Sequence, residues 1–469
     1  MSPLGRVHEV LVSLDRDSRG PLTAQLESQL RDAVRTGRLK PGAPLPSTRA
    51  LAQQLGVSRG LVVAAYSQLR AEGYLDLRQG AAPRVSATAS PAAPPRPEAR
   101  DDLLRFNLRP DLPDYSAFPR DEWLRSYRRA VKGAGDHDFA YGDVRGVVSL
   151  RSELAQYLGR VRGLVAEPEH VFVCGGFSQA ITLLARVLLA RGARTIAVED
   201  PSHVVIREII RRTGLETVPI AVDADGIDVE ALAGVGPDAV LLTPAHQFPT
   251  GVVLTAERRA RLIEWADETG ALIVEDDYDA EFRYDRAPVG SLQGLAPDCV
   301  AYIGSTSKTL APTLRLGWLV APARLVRPLA DEVLFSVIAP PRLQQLAFAD
   351  FMLRGELDRH LRRMRLRYRK RRDVLVRSLA SELSMVEIGG IAAGLHVVAS
   401  FPRSYSERRI VAEARKRRIG LYGLGEHRVR ARRRPALLLG YAVAGEATIP
   451  AAIRELAAAV AVADAGRLA

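Results

Sequence analysis

The segment STSKTLAPTLRLGW, residues 305–318, contains one lysine, Lys308, among small polar residues. Only five of the 66 Lys and Arg residues in the chain are lysines, so arginine supplies nearly every positive charge. An arginine guanidinium stays protonated at any working pH, whereas a lysine amine can lose its proton and attack a carbonyl carbon. The lysine at position 308 therefore indicates amine chemistry.

Other side chains capable of chemistry follow the segments HVFVCGG, RTIAVEDP, DAVLLTP, ALIVEDD and CVAYIGS. These apolar segments are bounded by Gly or Pro and alternate with amphipathic helical segments, which predicts a mostly parallel α/β sheet. Ligands of such sheets bind beyond the carboxyl ends of the strands. Arg315 follows Lys308, and the residues at the predicted strand ends are Phe177, Ser178, His203, His246, Gln247, Phe248, Asp276, Asp277, Tyr278, Ser305 and Ser307.

This set of residues matches what pyridoxal phosphate requires of a protein. The cofactor needs an amine for a Schiff base, a carboxylate at its pyridine nitrogen, a hydroxyl donor at its ring oxygen and a flat group against its ring. Its phosphate needs hydroxyls and an arginine. Taken singly, an Asp-Asp-Tyr at a strand end is usually a turn or cap, and a His beside a Pro is usually structural. The ordered set predicts a pyridoxal phosphate site, and no metal site is predicted.

From residue 105 onwards the chain resembles the fold-type I aminotransferases of class I/II, most specifically in STSKTLAPTLRLGW. The resemblance implies an α/β fold over residues 105–469, with a small C-terminal α/β subdomain over about 345–469. It implies that Lys308 forms the Schiff base and that Tyr141, in YGDVRG, is offered from a neighbouring subunit of a homodimer. The implied cofactor contacts are Asp276 at the ring nitrogen, Tyr278 at the ring oxygen, His203 against the ring, and Ser178, Ser305, Ser307 and Arg315 at the phosphate. Independently, CGGFSQA joins a strand to a helix, so the backbone N–H groups of Phe177 and Ser178 are expected to face the phosphate.

Three departures from the aminotransferase pattern bear on activity. His203 stands where a tyrosine or tryptophan is more usual. Phe248 replaces the asparagine of NPTG, so the ring oxygen loses a hydrogen bond unless His246 or Gln247 compensates. The segment RRRPALLLGYA has no clear counterpart of the arginine that binds a substrate carboxylate, and Arg434 is the nearest candidate. These departures favour cofactor binding over catalytic turnover.

Residues 1–85 read as compact helices followed by a hairpin. A helix is predicted over PLTAQLESQLRDAVRTG, a second over TRALAQQL, capped by Ser47 and ended by Gly56, and a third over RGLVVAAYSQLRAE, capped by Ser58 and ended by Gly73. The segment YLDLRQGAAPRVS alternates around a glycine-containing turn, as a small hairpin does. This order predicts an α+β winged helix-turn-helix domain.

The segment LPSTRALAQQLGVSRGLVVAAYSQLRAEGYL resembles the DNA-binding domain of GntR-type regulators. The resemblance implies that Ser58 and Arg59, at the start of the third helix, lie near bases and phosphates, and that Arg49 contacts the DNA backbone. Isolated arginines would more simply be solvated charges. Gly60 departs from the pattern and weakens the helix by about 1 kcal/mol relative to alanine. The wing tip, Ala-Ala-Pro, also departs from a Gly/Ser/Thr-rich tip.

Composition sets the remaining expectations. The formal net charge of +12 and pI near 10 indicate a polyanionic partner or a general arginine bias. Cys174 and Cys299 lie in apolar segments and are expected to be reduced. The charged N-terminus and the absence of a long apolar run predict a cytoplasmic protein without a membrane partner. Alanine and proline dominate the segment from residue 86 to 104, which predicts a semi-stiff linker.

A GntR-type domain, a linker and an aminotransferase-like body together resemble the MocR subfamily of bacterial transcriptional regulators. The resemblance implies a homodimer that binds double-stranded operator DNA and senses an amine, an amino acid or pyridoxal phosphate itself. One alternative is an active aminotransferase with an accessory DNA-binding domain. A further alternative is a DNA-binding protein whose body is a scaffold without cofactor.

Overall fold

The computed structural model of the chain describes residues 12–16, 20–78, 81–87, 104–284, 290–336, 341–390, 392–430 and 434–465. The chain divides into an N-terminal unit, residues 1–100, and a C-terminal unit, residues 101–469. Most of the predicted linker lies outside the described residues, so the boundaries at 85 and 104 stay predictions. Within the described residues, no helix is both long enough and apolar enough to cross a bilayer.

The N-terminal unit has the order predicted for a winged helix. Its elements are α1 (Leu22–Arg35), α2 (Thr48–Leu55), α3 (Arg59–Ala71), β1 (Leu75–Asp76) and β2 (Arg84–Val85). Strands β1 and β2 pair antiparallel. The Val85 N–H also donates to the Ala43 carbonyl at 2.9 Å, which ties the wing to the connection between α1 and α2.

The helix caps of this unit form as expected. The Ser47 hydroxyl accepts the N–H of Ala50 at 3.2 Å, and the Ser58 hydroxyl accepts the N–H of Leu61 at 3.3 Å. Gly56 ends α2 with a φ of 64°, a conformation that costs a glycine little. Beneath the helices, the hydroxyl of the fully buried Tyr66 donates to the Pro46 carbonyl at 3.0 Å. The predicted winged helix-turn-helix fold is confirmed.

The C-terminal unit alternates strands and helices over its first half. Its strands here are β3 (Phe106–Asn107), β4 (Val171–Cys174), β5 (Thr195–Asp200), β6 (Glu216–Asp223), β7 (Gly226–Ile227), β8 (Ala239–Leu242), β9 (Leu272–Asp277), β10 (Val300–Ser305) and β11 (Gly317–Val320). Its helices here are α4 (Arg120–Gly133), α5 (Val148–Arg162), α6 (Phe177–Ala190), α7 (Val204–Thr213), α8 (Val229–Val235), α9 (Ala256–Thr269) and α10 (Ala323–Ser336).

Eight of the described strands form one sheet in the order β4-β11-β10-β9-β8-β5-β6-β7. Strands β10, β9, β8, β5 and β6 pair in parallel, and β11 is antiparallel to both of its neighbours. Leu272 and Val274 of β9 pack into one apolar core while Ile273, between them, packs into another. Both faces of the sheet are therefore covered, and the mostly parallel α/β sheet is confirmed.

A smaller antiparallel sheet follows. The remaining elements are α11 (Arg342–Leu353), α12 (Glu356–Glu382), β12 (Glu387–Gly389), β13 (His396–Ser400), α13 (Glu407–Lys416), β14 (Ile419–Gly420), β15 (Tyr422–Gly423), β16 (Ala436–Gly440) and α14 (Ile449–Ala465). The sheet order is β12-β13-β16-β15. Apart from this sheet, β14 pairs in parallel with β3, so an early part of the unit is bonded to a late one. This sheet fits the expected C-terminal subdomain, whose start near residue 345 stays a prediction.

Candidate functional site

One cavity, of about 210 Å³, opens at the carboxyl ends of β5, β8, β9 and β10. This is the edge at which parallel sheets bind ligands. Of the ten residues predicted to contact a cofactor, nine line this cavity: Phe177, Ser178, His203, Asp276, Tyr278, Ser305, Ser307, Lys308 and Arg315. The tenth, Tyr141, is fully exposed and does not line it.

Lys308 follows β10 and is half-buried in the cavity wall. Its ammonium group donates a hydrogen bond to the backbone carbonyl of Asp111. Burial lowers the pKa of Lys308, and the nearby carboxylates of Asp111, Asp276 and Asp279 oppose that shift. A lower pKa increases the neutral, nucleophilic share of the amine at neutral pH.

Asp276 reaches the cavity because side chains alternate along β9. Burial raises the pKa of Asp276 well above its ordinary value, and the neighbouring Asp277 and Asp279 raise it further. Among the described residues, no hydrogen bond or ion pair to the Asp276 carboxyl is found. A buried carboxyl in this state is stabilised by a ligand cation such as a protonated ring nitrogen.

Behind the cavity, a buried ion pair fixes the end of β9. The Arg162 Nε lies 2.6 Å from the Asp277 Oδ2, and the two side chains are only 1% and 2% exposed. The Tyr302 hydroxyl donates to the same oxygen at 2.6 Å. Adjacent side chains of a strand point to opposite faces of the sheet. Because Asp277 is held on the face away from the cavity, Asp276 is held towards the cavity.

Tyr278 is oriented by a histidine and a carboxylate. The His246 Nδ1 lies 2.9 Å from the Asp279 Oδ2 and 3.0 Å from the Tyr278 hydroxyl oxygen. The carboxylate selects the tautomer with a proton on Nδ1, so this N–H points at both oxygens. Burial raises the pKa of Tyr278 well above its ordinary value, and the Asp279 and Asp276 carboxylates raise it further, so the hydroxyl keeps its proton at neutral pH.

Phe248 stands where the NPTG motif has an asparagine, and neither Gln247 nor His246 takes over its hydrogen bond. Gln247 donates to the Pro201 and Phe248 carbonyls and accepts from Thr250, and it does not line the cavity. His246 is bonded to Asp279 and Tyr278 and does not line it either. Phe248 itself contributes a ring to the wall. Neither predicted substitute therefore supplies the missing hydrogen bond.

A loop suited to an anion precedes α6. The first N–H groups of a helix have no partner within the helix, and here they belong to Phe177 and Ser178. A Cβ on Gly176 would lie 3.9 Å from the Arg315 Nη1 and 4.0 Å from the Ser307 Oγ, so all three border one space. Arg315 has a φ of 48°, a conformation that a non-glycine residue adopts at some cost.

His203 is held in a fixed, neutral state. Its Nδ1 accepts the N–H of Val205 at 3.2 Å and so caps α7. Burial lowers the pKa of His203, and the charge on Lys308 lowers it further. Its ring centre lies 5.3 Å from that of Phe248. These contacts present a flat, uncharged ring to the cavity.

The cavity also contains residues that the sequence patterns did not single out. The Glu199 Oε2 accepts the Thr243 N–H at 3.0 Å and its hydroxyl at 2.8 Å, and burial raises the pKa of Glu199 to about 7. The Arg207 Nη1 donates to the Ser202 and His427 carbonyls, at 2.6 and 2.8 Å. Glu199 precedes the aspartate of VEDP, so the strand-end rule could have found it.

Arg434, the candidate for a substrate carboxylate, lies elsewhere. Its Nη1 forms an ion pair with Glu387, both side chains are exposed, and it does not line the cavity. The sequence offered Arg434 only as the arginine nearest to the expected position, and in the fold its partner is the exposed carboxylate of Glu387.

The residues predicted to contact DNA lie on the surface of the N-terminal unit. Arg49 and Arg59 are exposed in the first turns of α2 and α3. Ser58 is also exposed, although its hydroxyl is occupied by the cap. Beyond Arg59, the exposed positions of α3 include Gly60 and Val63, so small side chains cover this face. A helix with this surface can approach a DNA groove closely.

Comparison with known proteins agrees with both units. Residues 22–85 match the bacterial regulatory proteins of the gntR family, and residues 113–408 match the aminotransferase class I and II family. Among solved structures, LysN, an α-aminoadipate aminotransferase from Thermus thermophilus complexed with N-(5'-phosphopyridoxyl)-L-leucine, is similar with a TM-score of 0.70 and 25% identity. The likeness covers 78% of this chain and 96% of that one.

Two of the curated relatives are similar to this chain over most of its length. The probable rhizopine catabolism regulatory protein MocR of Rhizobium meliloti is 33% identical over 460 residues, 92% of each chain. The pyridoxine biosynthesis transcriptional regulator PdxR of Corynebacterium glutamicum is 35% identical over 394 residues, 82% of this chain and 85% of the relative.

The fold and the comparisons define a DNA-binding transcriptional regulator, in which a gntR-family head is fused to an aminotransferase class I/II body. Within that class, the chain belongs to the MocR subfamily.

Proposed function

We propose that this regulator binds pyridoxal phosphate in the cavity beside Lys308 and senses an amine, an amino acid or the cofactor itself. The observation that carries the proposal is the convergence of nine predicted contact residues on one cavity. Two similar proteins support it, since one is named a regulator of pyridoxine biosynthesis and one solved structure holds a phosphopyridoxyl compound.

The residues present fit this cofactor. The space bordered by Gly176, Ser307 and Arg315 suits a phosphate, and the Asp276 carboxyl lacks a partner among the described side chains. When bound, pyridoxal phosphate supplies an aldehyde that reacts with primary amines and a ring that withdraws electrons. Lys308 would hold it covalently through its amine, and Asp276 would keep a proton on the ring nitrogen. Tyr278, whose raised pKa keeps it protonated, would donate to the ring oxygen, with the neutral ring of His203 alongside.

A homodimer is part of the proposal. Tyr141 is 100% exposed, and Phe335 is 84% exposed. A tyrosine that is fully outside its own unit can enter the cavity of a second copy, and exposed aromatic side chains favour burial in an interface. The effector shifts the placement of the two DNA-binding heads by its different affinity for the two arrangements. A cytoplasmic location fits DNA binding and the two buried, unpaired cysteines.

DNase footprinting of the promoter upstream of the gene tests this function. The wild type is compared with Lys308→Ala, each with and without pyridoxal phosphate. We expect a protected operator whose extent or affinity responds to the cofactor only in the wild type. No protected operator under any condition would remove the regulatory proposal for this promoter, and an identical response in Lys308→Ala would remove the role of Lys308.

Catalytic turnover is the second candidate function, and the aminotransferase class I/II body is its support. Phe248 and the distant Arg434 weigh against it. It predicts sustained conversion of an amino acid and a 2-oxo acid, lost in Lys308→Ala. A single turnover followed by arrest would instead fit a sensor.

A further inference from the structure

We propose that the effector is an amine with a second positively charged group, and that the carboxylate of Asp111 binds this group. The inference deepens the proposed function and rests on it, because it assumes an amine ligand in the cavity beside Lys308. It assigns a specificity-determining role to Asp111 and excludes effectors whose far end is a carboxylate.

Asp111 lies in the cavity wall beside Lys308. It lines the same space as His203 and Lys308, and its backbone carbonyl accepts the Lys308 hydrogen bond. Its side-chain Oδ1 is buried and has no hydrogen-bond partner among the described residues. Burying a carboxylate oxygen without a partner is costly, so such an atom marks a place where a donor belongs. A ligand ammonium supplies both the donor and the opposite charge.

Lys308 lies beside Asp111, and its amine would be taken up by the cofactor. The other cationic side chains of the cavity are engaged elsewhere. The Arg207 Nη1 donates to the Ser202 carbonyl, the Ser202 hydroxyl and the His427 carbonyl. Arg315 borders the loop at Gly176, where the phosphate is proposed.

Two further side chains that could bind an anionic effector are His203 and Arg434. The ring of His203 accepts a backbone N–H, which keeps it neutral. Arg434 is paired with Glu387 away from the cavity. Within the described lining, the charged group left to face an effector is therefore an anion.

Part of the cavity wall is apolar. Val205, Ile206 and Ile209 of α7 and Leu395 line the cavity together with Phe248. Such a wall favours a methylene chain between the reacting amine and the second charge. The chemistry that fits is a short aliphatic diamine, or a longer polyamine, rather than an amino acid.

The test compares three probes of equal chain length on the full-length protein loaded with pyridoxal phosphate. The probes are 1,4-diaminobutane, butylamine and 4-aminobutanoate, and the series is repeated for chains of three and five carbons. Binding is measured by isothermal titration calorimetry and by the change in the visible absorbance spectrum. For at least one chain length, we expect the diamine to bind about tenfold or more tightly than the monoamine, since an ion-paired hydrogen bond is gained. The aminocarboxylate should bind most weakly.

Two substitutions locate the effect. Asp111→Asn should abolish the advantage of the diamine while leaving butylamine affinity within a fewfold. The control Asp331→Asn removes an exposed carboxylate on α10 and should keep the ranking. Equal binding of the three probes at every length, preference for 4-aminobutanoate, or an unchanged ranking in Asp111→Asn would overturn the inference. A wild-type protein that stays colourless with pyridoxal phosphate would instead overturn the proposed function.

Discussion

The two units use charged side chains in opposite ways. In the N-terminal unit, Arg49 and Arg59 are exposed, so they can act on a polyanion through long-range, salt-sensitive attraction. In the C-terminal unit, Asp276 and Glu199 are buried and Lys308 is half-buried, and burial is the first cause of the pKa shift of each. Exposure suits a partner as large as DNA, while burial makes a small ligand the natural counter-charge.

Ion pairs show the same contrast. Arg31 and Glu72 of the N-terminal unit are joined at 2.8 Å with side chains 28% and 26% exposed. Arg162 and Asp277 of the C-terminal unit are joined at 2.6 Å with side chains 1% and 2% exposed. The distances are similar, so the stability that each pair contributes should differ through the solvent around it.

The largest expected effects come from substitutions that remove cofactor binding or weaken DNA binding without changing the other. Lys308→Ala should abolish the visible absorbance band of the loaded protein and any borohydride-fixed adduct, because it removes the only proposed covalent anchor. Arg59→Ala should keep the band and reduce the salt dependence of DNA binding by about one unit of slope. Lys370→Ala, at an exposed lysine of α12, is the matched control for both measurements. Loss of the absorbance band in Arg59→Ala would contradict the assignment of cofactor binding to the C-terminal unit alone.

The ion pairs should differ next. Arg162→Met leaves the Asp277 carboxylate buried without its guanidinium, and should lower the free energy of unfolding of the C-terminal unit by about 3–5 kcal/mol. Arg31→Met should cost the N-terminal unit about 0–1 kcal/mol, since water solvates Glu72. Urea denaturation followed by a probe in each unit measures both. Equal losses would show that burial is not what distinguishes the pairs.

Glu199 should make the C-terminal unit sensitive to pH. Its pKa is raised from 4.5 to about 7 by burial, so the folded state holds the proton more tightly than the unfolded state. This contribution is fully present below pH 4.5 and is lost as the pH rises through 7. Relative to the wild type, Glu199→Gln should therefore gain about 2–3 kcal/mol of stability between pH 5 and pH 8.

Urea denaturation across that pH range measures this gain. A constant difference between the two proteins at all pH values would refute it. Glu382→Gln, at an exposed carboxylate at the end of α12, should follow the wild type.

The smallest effects concern two glycines. A Cβ on Gly60 would meet only the Ser58 Oγ, at 4.0 Å, so Gly60→Ala should stabilise the N-terminal unit by about 1 kcal/mol through helix propensity. A Cβ on Gly317 would lie 2.7 Å from the Gly176 Cα, so Gly317→Ala should destabilise the C-terminal unit and weaken cofactor binding. Thermal denaturation measures both changes. Melting temperatures of Gly60→Ala and Gly317→Ala that move in the same direction would contradict this expectation.

Local chemistry explains what could be predicted from the sequence. The caps at Ser47 and Ser58 act on N–H groups three residues away, so the pattern contains both partners. Phe177 follows a short apolar strand, and Asp276 and Ser305 lie at the polar ends of two others. The alternation of these strands with helices fixes the common edge. These residues were therefore predictable in type and in place.

Partners that are far apart in sequence explain what could not be predicted. Asp111 contacts Lys308 across 197 residues, and no local pattern marks it as a cavity residue. The strand β6 contains Pro219, which lacks an N–H and is unusual within a sheet, and it was not anticipated. Arg434 was expected near a ligand, but only the folded chain shows Glu387 beside it.

The pairing of β3 with β14 has a consequence for synthesis on the ribosome. Phe106 pairs with Ile419, and its N–H donates to the Arg418 carbonyl, so the segment that leads to Asp111 lacks this support until the chain is almost finished. At ordinary translation rates the interval between the two strands lasts roughly 15 to 60 s. The DNA-binding head, whose described helices and strands pack on one another, can fold during that wait. A nascent chain can thus contain a folded DNA-binding unit well before its ligand cavity is complete.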